Sequence, residues 1–128
     1  MLIIRRKQVE VLKEEARRGF TDRVLRRLRK YYPEKIDTIG DKAAQDIIRG
    51  GIDIAKIYNI TIEYDVFCFI ALMFLFGTDF YRTQPWAMRI FYDQNIRRPS
   101  ERMTLLCIAA EAQSDESNQS RTRELLNV

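Results

Sequence analysis

Between Val66 and Phe76 the chain runs through eleven residues, VFCFIALMFLF, with no charged or strongly polar side chain, and Gly77 stops the run. A bilayer crossing needs ~20 apolar residues, so a segment of this length has to be hidden inside protein. Wound as a helix it is apolar nearly all round, so neighbours must cover it on several sides, within the chain or from a partner as well. The predicted architecture is all-α: a single compact bundle of about five helices, with a long basic N-terminal helix and this segment as the buried centre.

The remaining helices are set by period and punctuation. Val9, Leu12, Ala16, Phe20, Val24, Leu28 and Tyr31 or Tyr32 recur every three or four residues, which predicts one amphipathic helix from about Ile4 to Tyr31. Pro33 ends it, because the residue before a proline is pushed out of the α region. A second helix starts at Asp41 as N-cap and presents Ala44, Ile47, Ile48, Gly51, Ile52, Ala55 and Tyr58, with Asn59 as a left-handed stop. Gly50 and Gly51 cost it helix propensity, so close helix approach or a kink is expected there. Thr61 is the expected N-cap of the core helix, with Glu63 and Asp65 in its first turns. Residues 78–84 read as a loop, Pro85 as the first residue of a fourth helix reaching about Asp93, and Ser100 as the cap of a fifth with Met103, Leu106, Cys107 and Ala110 on one side. Residues 1–113 form the helical domain. From Ser114 the sequence SDESNQS has no apolar anchor, so residues 114–128 are expected to be a flexible polar tail, its last residues Glu124 to Asn127 helical or pinned elsewhere.

At 128 residues the chain has the size of one domain that can be stable without staples. Cys68 and Cys107 stand among apolar neighbours in separate helices and read as reduced, buried thiols. Leu2-Ile3-Ile4 precede Arg5-Arg6-Lys7, the reverse of a signal peptide's order, which predicts cytoplasmic residence and no membrane partner. The net charge of +4 is unevenly placed. Residues 1–35 hold twelve Lys/Arg against five Asp/Glu, a local +7 that leaves −3 for the rest. Arg17, Arg18, Arg26, Arg27, Arg29 and Lys30 could neutralise phosphates. Glu14 before Arg18 and Asp22 before Arg26 instead have the order of helical ion pairs on a solvated face. The solvated face is preferred, with an acidic protein partner next and nucleic acid last, since no nucleic-acid motif accompanies the charges.

The chemistry-bearing residues are sparse. There is no histidine, the commonest general base and metal ligand. Two distant cysteines make no thiolate zinc site, and Gly50-Gly51 is followed by Ile52-Asp53, unlike a phosphate-binding loop. The expectation is a protein without catalytic residues, cofactor or metal. The aromatics Phe67, Phe69, Phe74 and Phe76 read as core packing. Phe80, Tyr81, Trp86, Phe91 and Tyr92 flank a loop that also carries Arg82 and Arg89, and Trp, Tyr and Arg are the types found at the energetic centres of interfaces. Phe80, Tyr81, Arg82, Trp86 and Arg89 are therefore the candidate protein-binding residues. Trp86 either seals the loop against the core or projects into a partner, and Asp79 holds the loop backbone.

The opening LIIRRKQVEVL, the Phe20 to Tyr32-Pro33 helix end and Gly51-Ile52 with Ala55 and Tyr58 leading to Ile60-Thr61-Ile62-Glu63 form the first half of a pattern. Asp65-Val66, Leu72-Met73-Phe74, Phe76-Gly77, Asp79-Phe80 and Pro85-Trp86-Ala87 form the second. Together they resemble a group of small bacterial accessory proteins encoded beside effectors, PAAR or VgrG spike components and adaptors of type VI secretion systems. Phe91 and Tyr92, where smaller residues are expected, and the polar stretch after Ala112 depart from the pattern. The resemblance implies a non-enzymatic co-chaperone or co-adaptor that binds a secretion effector or its adaptor and helps load it onto the spike. An immunity protein that neutralises a cognate effector, a nucleic-acid-binding regulator, and a homo-oligomer joined through the stripe of the first helix stay open beside it.

Overall fold

Asp65 to Met73 are all buried, nine consecutive residues of one helix, and the rest of the molecule is arranged to achieve that. In the computed structural model the described residues run from 6 to 126, with side chains described from 13 onward except at 116 and 117. They form eight helices and no strand. These are α1 (Arg6–Tyr31), α2 (Pro33–Ile39), α3 (Asp41–Ile57), α4 (Glu63–Phe76), α5 (Phe80–Thr83), α6 (Pro85–Phe91), α7 (Pro99–Gln113) and α8 (Glu116–Leu126). The expected start near Ile4, the side chains of Val9 and Leu12, and Asn127 lie outside the described residues.

α3, α7, α5 and α8 pack directly on α4, which is how a helix with no polar face is enclosed by its own chain. The α3 contact depends on one missing carbon. A Cβ at Gly51 would stand 2.7 Å from Ile70 Cγ1 and 3.0 Å from Met73 Sδ, closer than atoms in a packed core can sit. The close approach expected of the glycine pair therefore belongs to Gly51. Gly50 has nothing within 4 Å of its would-be Cβ. Asn59, at φ 62, ends α3 in the left-handed region that asparagine tolerates, and Gly77 leaves α4 at φ 109.

The helix count departs from five because three elements lack a long apolar period. Pro33 does end α1, but it is also the first residue of α2, where its missing N–H costs nothing and Glu34 follows in the first turn. The expected loop 78–84 contains the single turn α5. Three expected caps also move by a residue or two. Gly40 at φ 87 precedes α3, and Asp41 pairs with Arg29 instead. Ile62 precedes α4 and Arg98 precedes α7, neither with a side-chain cap bond. Ser100 donates its hydroxyl to Asp65 at 2.6 Å, which gives the buried carboxylate of α4 a short charge-assisted bond.

The third unexpected element is α8, in the stretch read as a polar tail. Its anchors are late and few: Leu125 and Leu126 are buried, and Thr122 is 1% exposed with its hydroxyl 2.8 Å from the Tyr32 hydroxyl. Arg27 of α1 donates to the carbonyls of Leu125 and Glu124 at 3.3 and 3.0 Å. The Arg121 guanidinium lies 4.2 Å from the Tyr32 ring centroid and bonds Glu34 at 2.7 Å. The expected pinning of the last residues is thus seen through Leu126, and the helix holding them begins eight residues before Glu124.

Candidate protein-binding surface

Two regions bear on binding, and only one was nominated from sequence. The nominated corner is built by α5 and α6 folding back beside α4. Phe80 is wholly buried and Tyr81 nearly so, at 0% and 7% exposure, so neither can meet a partner in this arrangement. Their rings surround Phe69, at centroid distances of 5.4 and 5.5 Å, and Phe91 joins them at 6.0 Å. Tyr58, at the end of α3, packs edge-on to Phe91 at 4.7 Å and to Tyr81 at 5.8 Å. The aromatics are the joint that holds α5 and α6 to α3 and α4, each such pair adding about 0.5–1.5 kcal/mol beyond area burial.

Trp86 is half-buried, edge-on to Phe76 at 5.0 Å and stacked near Phe80 at 6.3 Å, which is the sealing geometry. Arg82 and Arg89 remain exposed, with the Arg82 guanidinium 5.9 Å from the Tyr81 ring. Met88 and Tyr92 are exposed beside them. Partial burial, and then a hydrogen bond with Tyr58, hold the Tyr92 phenol above its usual pKa. The corner therefore offers a mixed rim of Arg82, Arg89, Met88, Tyr92 and one side of Trp86 over a closed aromatic core.

The second region lies where the end of α3 turns into the start of α4. Ile57 and Ile62 flank the turn between them at 74% and 58% exposure, and Tyr64 follows at 44%. Beside that turn an open groove of about 220 Å³ is lined by Phe20, Ile52, Ile60, Thr61 and Val66, with Lys56 and Glu63 at its rim. A second groove of about 290 Å³ continues from it along α1, lined by Val24, Phe67, Arg23, Arg27 and Tyr64. Phe20 and Glu63 line both, so the two adjoin as a largely apolar channel along α1 and α4, with Arg23 bonded to Glu63 at 2.7 Å. Isolated exposed apolar residues need no explanation, but a cluster beside an apolar channel does. The sequence carried a faint signal for it: Ile57 stands off the stripe that the buried residues of α3 follow.

The basic first helix is partly neutralised from within. Arg17 bonds Asp53 at 3.1 Å and Arg29 pairs with Asp41, both acids on α3. Neither Glu14–Arg18 nor Asp22–Arg26 closes as an ion pair among the described residues; Arg17, Arg23 and Arg29 reach to other helices instead. Such exposed pairs contribute about 0–1 kcal/mol each, so their weight is in absorbing charge more than in stability. Of the six cations considered for phosphate contact, Arg18, Arg26 and Lys30 stay exposed, while Arg17, Arg27 and Arg29 are engaged within the chain.

Among the described residues no three His, Cys, Asp or Glu side chains gather as a metal site would require, and no helix is long and apolar enough to cross a membrane. No protein-family model, no curated protein and no solved structure matches the chain.

Proposed function

We propose that the chain is a non-enzymatic accessory protein, a co-chaperone or co-adaptor that holds an apolar segment of a type VI secretion effector or its adaptor in the α1–α4 channel and assists its loading onto the spike. The observation that supports this reading is the apolar lining of the channel, Phe20, Ile52, Ile60 and Val66, beside a turn that leaves Ile57 and Ile62 exposed. An apolar lining with Arg23, Arg27 and Lys56 around it suits an amphipathic helix whose polar side is acidic, since its apolar face would fill the channel and its acids would meet the rim. The secretion context comes from the sequence resemblance; the channel speaks for protein binding.

The test compares two doubly substituted chains as bait in the host's lysate, with bound proteins identified by mass spectrometry. Ile57→Glu with Ile62→Glu should lose an effector or adaptor that the unaltered chain retains, while Arg82→Glu with Arg89→Glu should keep it. Loss through the second pair alone would move the interface to the α5–α6 corner. If the unaltered chain retains no effector or adaptor, or if deleting its gene makes cells sensitive to a neighbouring toxin, the loading role is wrong.

A further inference from the structure

On the other side of Tyr64 from the channel, α4 and α7 bring together two groups that no binding role uses. Cys68 and Cys107, 39 residues apart in sequence, are both free thiols, the first buried and the second half-buried. They line one cavity of about 130 Å³ with Tyr64, Asp65, Met103 and Glu111. A single water needs only ~10–15 Å³ by this measure, so the space admits small polar molecules next to both sulfurs. Both sulfurs border that cavity from helices that pack on each other, and Cys107 is the largest influence lowering the Cys68 pKa, as Cys68 is the largest raising that of Cys107. A donor thiol opposite a thiolate-prone one is the relation of a resolving cysteine to an attacking one.

The surroundings favour that division of roles. The nearby Tyr64 hydroxyl also lowers the Cys68 pKa, and Arg27 adds a favourable charge, against the opposing effects of burial and Asp65. Burial first, and Cys68 second, push the Tyr64 phenol up to about 12, so it stays a neutral donor near pH 7. Its hydroxyl reaches the Leu126 carbonyl, and Cys68 Sγ lies 3.9 Å from the same oxygen. The last described turn of α8 therefore rests on Tyr64 and Cys68.

We propose that Cys68 and Cys107 are a peroxide-oxidisable dithiol that forms a disulfide between α4 and α7. The Cys68 thiolate attacks one oxygen of hydrogen peroxide in the cavity; the O–O bond breaks, an S–O bond forms, and hydroxide leaves. The Cys107 sulfur then attacks the Cys68 sulfenic acid, the S–O bond breaks, and the hydroxyl departs as water with the Cys107 proton. The released hydroxide takes the proton that Cys68 had given up, so two thiols and one peroxide become one disulfide and two waters. The peroxide receives the two electrons that the sulfurs lose. The disulfide removes the Cys68 thiol as a donor to the Leu126 carbonyl, so oxidation reaches the docking of α8. This inference is independent of the binding role proposed above.

The full-length chain is treated with hydrogen peroxide, and its intact mass and non-reduced peptide map are measured. The expected result is the loss of two hydrogens and a linked peptide pair containing Cys68 and Cys107, both reversed by a thiol reductant. In Cys107→Ser the sulfenic acid has no resolving thiol, so a 1,3-dione probe should label Cys68; Cys68→Ser should leave Cys107 unlabelled. An unchanged mass in the unaltered protein overturns the proposal, as do disulfides only between molecules or oxidation of Cys107 in place of Cys68.

Discussion

α4 and α8 are both helices held against the same interior, yet they are held in opposite ways. α4 has nine consecutive buried residues and no outward face. α8 is mostly polar and is kept in place by Leu125, Leu126, a buried hydroxyl pair and arginine contacts with backbone and ring. The first is placed by removal of area from water, which is non-directional and tolerant of detail. The second is placed by a few directional bonds, each worth little unless its geometry is kept. Damage to α4 should therefore unfold everything, whereas damage to α8 should open one helix.

The largest effect that could break this contrast is Phe69→Ala. Phe69 is fully buried at the centre of the aromatic joint, so truncation should cost about 3–5 kcal/mol in global unfolding by urea. A loss under about 1 kcal/mol would mean that α4 is not enclosed as described. The two neighbouring glycines give a sharper, two-signed comparison. Gly51→Ala should destabilise by about 1–3 kcal/mol, because its methyl meets the branched, fully buried Ile70. Gly50→Ala meets open space in a helix interior and should stabilise by roughly 0.5–1 kcal/mol. Equal signs for the pair would remove the close α3–α4 contact from the account.

How much of this was readable in the sequence divides along the same line. The central helix, its glycine stop, Asn59 in its left-handed turn and Pro85 opening α6 were legible because apolar runs and backbone punctuation act locally. α2 was not, since Pro33 ends one helix and begins the next and only the first role was assigned. α8 was invisible for a physical reason: Thr122 becomes an anchor only when Tyr32, 90 residues away, supplies its partner. Two residues of the nominated corner were hard to place for a similar reason. Phe80 and Tyr81 have the residue types of an interface, and their burial was decided by rings on α3 and α4 that local composition does not place. The channel by Ile57 and Ile62 arises where α1, α3 and α4 come together, and no single stretch of sequence contains it.

Tyr32→Phe tests the α8 side. It removes the hydroxyl bonded to Thr122 and should cost about 1–2 kcal/mol. The loss should be seen first as faster hydrogen exchange confined to α8. Slowing or uniform change across all helices would show that α8 is as integral as α4.

The smallest expected effect is a pH dependence in the same place. A hydrogen bond from Arg121 holds the exposed Glu34 carboxyl below its ordinary value of 4.5. Because the folded value is the lower one, the stabilisation is present above 4.5 and is lost as pH falls through the depressed value. The protection of α8 amides, taken relative to their intrinsic exchange rate at each pH, should therefore fall modestly on acidification, and Glu34→Gln should flatten that response. A profile unchanged by the substitution would assign the acid sensitivity to another carboxylate.

The bond from Arg27 to Leu125 joins positions 98 apart in the chain. A ribosome makes the first helix well before it delivers the segment that closes over Tyr32. Until then that flank of the nascent protein stays uncovered, open to chaperones or to a sister chain. Chains cut short before Thr122 should accordingly be cleared faster than chains that carry α8, even with every residue of the central helix present.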